Sequence, residues 1–127
     1  MTEALFDTGI LLDALRGLPA AAAELENCKR RFISRVTCIE LMAQALPDDG
    51  DRIEHFLRHF QIVELSEEIA RRAAMLMSQR RAFPLASAII LASAQLSGRI
   101  LVTRNAQIFP ANMLGIRVPY KLQSAEA

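Results

Sequence analysis

The sequence predicts an α/β sandwich with a mainly parallel sheet, on three observations. Short β-prone runs alternate with pairs of helical segments along the chain, in the order β-α-α-β-α-α-β-α-α-β-(turn)-β. Such alternation builds parallel sheets covered by helices. The helical segments carry their own start and stop signals. The 127 residues contain no repeat, low-complexity tract or long linker, so residues 1–127 read as a single domain.

The first strand is "ALFDT" (4–8), and "ILLDALRG" (10–17) is the first helix, with Gly17 as its stop. Pro19 fits the first turn of a second helix, "AAAAELENCKRR", whose basic end complements the helix dipole. "RFISRV" (31–36) is a β-prone run. "TCIELMAQAL" (37–46) turns helical, with Thr37 as cap and Glu40 three residues on, a capping-box spacing. In "PDDGDRIEHFLRHF" (47–60), Ile53, Phe56, Leu57 and Phe60 recur at helical period. "QIVEL" (61–65) is a short strand. "SEEIARRAAMLMSQRR" (66–81) has a Ser cap, early acids and late arginines. "PLASAIILASAQLSG" (84–98) is a helix with few charges, hence central. "RILVTRN" (99–105) is a strand ending in a polar turn, and "GIRVPY" (115–120) is the last strand.

Composition narrows the function classes. The longest apolar run, Ala86 to Leu96, is broken by Ser87, Ser93 and Gln95, so it reads as a buried helix and not a membrane span. Residues 1–20 lack a basic leader and carry Glu3, Asp7 and Asp13, which does not fit a secretion signal. Cys28 and Cys38 match no metal or redox spacing and read as reduced thiols of a cytoplasmic protein. Net charge is +1, so no global basic field calls for nucleic acid. The 52% apolar fraction is high for a monomer, and the surplus fits a subunit interface.

In open parallel sheets, ligands bind outside the carboxyl ends of the strands. Asp7 at the end of the first strand and Thr103-Arg104-Asn105 at the end of the fourth would share that edge. Asp7 fits either a helix cap or a carboxylate ligand. Glu40, flanked by Ile39, Leu41 and Met42, fits either a reciprocal cap or a paired or ligand-bound acid. His55 and His59 lie four apart on one helix face without a third zinc ligand, and read as surface residues.

The ordered set "LFDTGILLDALRG", "ISRVTCIELM", "HFQIVELSEEIARRAAMLM", "FPLASAIILASAQLSGRILVTRN" and "IFPANMLGIRVP" resembles a PIN domain, specifically the VapC-type toxin of bacterial toxin–antitoxin pairs. The resemblance spans nearly the whole chain. It implies a PIN-like three-layer α/β/α sandwich and a metal-dependent endoribonuclease. In such an enzyme, clustered carboxylates hold Mg²⁺ or Mn²⁺ against a scissile RNA phosphate. It also implies a homodimer and an antitoxin-like protein as partner, and no membrane.

Carried over by position, Asp7 and Glu40 take the first two acids as catalytic and metal-binding residues. Thr103 and Asn105 support the site, and Arg104 meets RNA phosphate. Three positions depart from the family pattern. The third acid's place in "PLASAII" holds Ser87, a neutral hydroxyl, and the fourth's in "TRNAQIF" holds Ile108. The Asn that follows the first acid's Thr is Gly9. No acid occurs between Glu68 and Glu126, so a third carboxylate must come from Asp13, the 48–51 turn or a partner chain. The expectation is weak metal affinity and low or absent nuclease activity. The alternative is a non-catalytic PIN-fold module that binds an antitoxin-like protein, or binds RNA without cleaving it.

Overall fold

A computed structural model describes residues 1–121. Five parallel strands form one sheet in the order β3-β2-β1-β4-β5. Along the chain they are β1 (Glu3–Phe6), β2 (Arg30–Ser34), β3 (Gln61–Val63), β4 (Leu101–Val102) and β5 (Ile116–Arg117). Helix pairs α1 (Thr8–Leu15) and α2 (Pro19–Glu26), α3 (Arg35–Gln44) and α4 (Gly50–Leu57), and α5 (Glu67–Gln79) and α6 (Leu85–Ser97) fill the three crossovers. The predicted element order holds, and the sheet is wholly parallel among the described residues.

Central strand β1 shows why the sheet is a middle layer. Its side chains alternate, and both faces are apolar. Ala4 and Phe6 pack with Ile10, Leu11, Leu25, Leu41 and Ile53, from α1 to α4. Leu5 packs with Ile69, Ala73, Ile90 and Leu101, under α5 and α6. Helix α6 buries Ala88 through Ala94 without a break, as its low charge predicts.

Several local expectations are corrected. Helix α3 begins at Arg35 and not at Thr37. Ser34 is its cap, its hydroxyl accepting from the Val36 amide at 3.1 Å, and Thr37 lies buried inside the helix. The Thr37–Glu40 capping box therefore does not exist. Helix α2 stops at Glu26, so the basic run beyond it does not belong to the helix. Arg30 opens β2 and pairs with Glu3, while Arg31 still reaches back to the Leu25 carbonyl at 2.6 Å. Helix α5 ends at Gln79, and Arg80 turns away from it to the carbonyls of Gln107 and Ile108. The strand expected over 99–105 is paired only at Leu101–Val102, and that expected over 115–120 only at Ile116–Arg117.

Ser66 caps α5 as expected, donated to by the Ile69 amide. Gly17 ends α1 with a left-handed φ of 88°, where a side chain would strain the backbone. Cys28 and Cys38 are buried free thiols, and burial pushes both above their ordinary range. His55 and His59 are exposed, their rings 5.5 Å apart. Among the described residues no helix is long and apolar enough to cross a membrane.

Candidate active site

The chain builds outward from β1 in one direction through β2 and β3, then returns to place β4 on β1's other side. The crevice between β1 and β4 is thus a switch point, where parallel sheets bind ligands. The Phe6–Val102 register makes Asp7 and Thr103 the next pair along. The Asp7 amide donates to the Val102 carbonyl at 2.9 Å.

Asp7 is a helix cap whose carboxylate also bonds across the edge. One carboxylate oxygen accepts from the Thr8 amide at 2.9 Å, and the other accepts from the Thr103 hydroxyl at 2.7 Å. Thr103 in turn accepts from the Asn105 amide at 3.0 Å, and Asn105 Oδ1 accepts from the Ile108 amide. The structure therefore places Thr103 and Asn105 together with Asp7 at this edge. Glu40 lies on α3, with Ile39 and Met42 exposed beside it. Thr8 Oγ1 donates to Glu40 Oε1 at 2.7 Å and lies 2.9 Å from Thr37 Oγ1. A hydroxyl has one proton, and Thr8 gives its own to Glu40, so Thr37 donates to Thr8. Thr8 thus ties both carboxylates, one by its amide and one by its hydroxyl. Sequence reading singled out neither Thr8 nor this role for Thr37.

Burial raises the Asp7 pKa above its ordinary value. The Thr103 and Thr8 hydrogen bonds oppose the rise, the Glu40 charge adds to it, and the Arg104 charge offsets it. A carboxyl with a raised folded-state pKa favours its protonated form, so its stability contribution is lost as pH rises through that pKa. Asp7→Asn is therefore expected to raise Tm at pH 7, with the gain shrinking toward zero below pH ~4. Thermal melts of both proteins across pH check this. An Asn variant less stable than wild type at every pH would show that the charged form is favoured.

Asp13 supplies no free third acid. Its Oδ2 lies 2.7 Å from Arg104 Nε and accepts from the Tyr120 hydroxyl at 2.7 Å. The Asp13 side chain is 6% exposed and that of Arg104 22%. Burial and the Asp13 bond push the Tyr120 hydroxyl well above its ordinary pKa. Arg104, expected to meet RNA phosphate, is held inward instead. Its guanidinium lies over Gly9, and a Cβ built there would sit 3.0 Å from Nε and 3.1 Å from Cζ. The 48–51 turn does not supply an acid to the edge either. Asp49 accepts from the Leu46 amide, and neighbouring Arg52 reaches Leu15 at the far end of α1.

The donor set does not fit a two-ion centre. Both oxygens of Asp7 and one of Glu40 are already engaged. Ser87 is half-buried in the first turn of α6, and Ile108 packs against the α5–α6 core. Among the described residues no three His, Cys, Asp or Glu side chains lie close enough to hold an ion.

A family model for the PIN domain matches residues 4–111. The chain belongs to the PIN domain family. This PIN domain is similar to a chain of a toxin–antitoxin complex from Klebsiella pneumoniae, with 37% identity and a TM-score of 0.87. That match covers 94% of this chain and 99% of the other. Its fold is also that of FitAcB from Neisseria gonorrhoeae (23% identity, TM-score 0.76, 94% and 99% covered). The DNA-bound VapBC of Salmonella typhimurium shares it too (21%, 0.75, 92% and 96%). No curated protein matches the sequence. The family membership read from the ordered sequence stretches is borne out.

Proposed function

We propose that this PIN domain is the VapC-type member of a cytoplasmic toxin–antitoxin pair, that it binds an antitoxin-like protein, and that it does not hydrolyse RNA by itself. One observation carries the second half of this reading. Of the family's four acid positions, only Asp7 and Glu40 are acidic, and no acid follows Glu68 until Glu126. Two carboxylates leave a second Mg²⁺ or Mn²⁺ without ligands. The 37% identity to a chain of a toxin–antitoxin complex supports the first half. Ile39, Met42 and Leu46 form an exposed apolar row on and just beyond α3. Ile39 and Met42 lie one turn apart on the helix and Leu46 follows just past its end, and together they suit burial under an antitoxin or the second copy of a homodimer.

A second reading is a single-ion endoribonuclease, favoured by the meeting of Asp7 and Glu40 at Thr8. One Mg²⁺ can be held by one or two carboxylates with waters and substrate phosphate. RNA cleavage assays with Mg²⁺ and Mn²⁺ on wild type and Asp7→Ala separate the two. The expected result is the same background rate for both. Wild-type cleavage that Asp7→Ala abolishes would replace the first reading with the second. Co-expression with the product of an adjacent short reading frame is expected to give a co-eluting complex.

A further inference from the structure

Gly9 and the Arg104 guanidinium meet at the first turn of α1. The first turn of α1 presents Gly9, and a guanidinium fills the space a side chain would take. Asp13, four residues on and on the same helix face, anchors that guanidinium at 2.7 Å. Arg104 follows Thr103, whose hydroxyl is bonded to Asp7, so the cation is leashed to the residue that holds the first acid. The charge count follows. Asp7 and Glu40 bring −2, and Arg104, its own charge partly balanced by Asp13, sits fixed at the same edge. A divalent ion approaching the carboxylates meets a resident positive charge in a place poorly screened by water.

We propose that Arg104, admitted by the missing side chain at Gly9 and held by Asp13, is a built-in counter-cation of the Asp7–Glu40 edge that competes with a divalent metal ion. The guanidinium cannot leave as an ion or a water can, because its backbone is fixed at the end of β4. It offsets part of the edge's negative charge without a bound metal. Gly9 is the permissive element. A Cβ there would stand 3.0–3.3 Å from three atoms of the guanidinium and make it give way, and a longer side chain crowds it further.

The inference rests on the carboxylate edge and not on the antitoxin reading, and its test measures metal binding without RNA. Mn²⁺ binding to the full chain is followed by electron paramagnetic resonance, with circular dichroism to confirm folding. Wild type is expected to bind weakly. Arg104→Met removes the charge at similar volume and is expected to bind about tenfold tighter or more. Gly9→Asn keeps every charge and is expected to gain in the same direction. It decides the matter if Arg104→Met fails to fold. The gain must vanish when Asp7→Ala is added. The proposal is overturned if the folded variants bind no better than wild type, or if the gain survives Asp7→Ala.

Discussion

Asp13→Ala is expected to lower the unfolding free energy by about 3 kcal/mol, and Tm by roughly 10 °C. Asp13 accepts from Tyr120 and faces Arg104, so one carboxylate ties α1, the loop after β4 and the segment after β5. Its removal leaves a half-buried cation and a half-buried phenol without their acceptor. Breaking a buried pair from one side costs about 3–5 kcal/mol, and the partial exposure of Arg104 places this case at the low end. Tyr120→Phe deletes only the hydroxyl and is expected to cost about 1 kcal/mol. Removing both charges together, as Asp13→Leu with Arg104→Met, is expected to cost less than the sum of the single changes by about 1 kcal/mol or more. Thermal and urea melts on wild type, Asp13→Leu, Arg104→Met and the double variant measure that coupling. Additive losses would show that the two side chains act independently, and that Arg104 is free to leave its seat.

The sheet edge was legible because its signals are local. Asp7 ends an apolar run, Thr103-Arg104-Asn105 ends another, and the alternation of strands and helices puts both at the same end of a parallel sheet. The start of α3 was misread because two caps compete in one stretch. Ser34 and Thr37 lie one helical turn apart, and β-prone Val36 makes the earlier position look like strand. In the fold Ser34 takes the cap, and Thr37 bonds to Thr8 instead. The Arg104–Asp13–Tyr120 cluster left no trace in the sequence. Its members are far apart along the chain, Asp13 and Tyr120 by 107 positions, and each looks ordinary in its own segment. Gly9 stood out only as a departure from a family pattern. That an arginine fills the space is a fact of packing, not of spacing.

Restoring the missing acids is expected to produce the largest functional change. The variant Ser87→Asp/Ile108→Asp, supplied with Mn²⁺, is expected to cleave RNA at least about hundredfold faster than wild type, and to lose this when Asp7→Ala is added. The two changes differ in structural cost. Ser87 lies in the first turn of α6, which holds no acid, and a carboxylate there meets the positive end of the helix dipole. Ser87→Asp alone is thus expected to be neutral, or stabilising by about 0.3–1 kcal/mol. Ile108 packs against the α5–α6 core, so Ile108→Asp is expected to cost about 1–3 kcal/mol. Arg80, already bonded to the backbone of Gln107 and Ile108, supplies a nearby cation that moderates this. A folded double variant that still cuts no RNA, with or without Gly9→Asn, would remove the loss of acids as the reason for inactivity. Cleavage that appears only once Gly9→Asn is added would identify the seated guanidinium, not the ligand count, as what limits the site. Cleavage without it would show that the two added carboxylates suffice to overcome that charge, because the edge then carries −4 against a cation that Asp13 already partly balances.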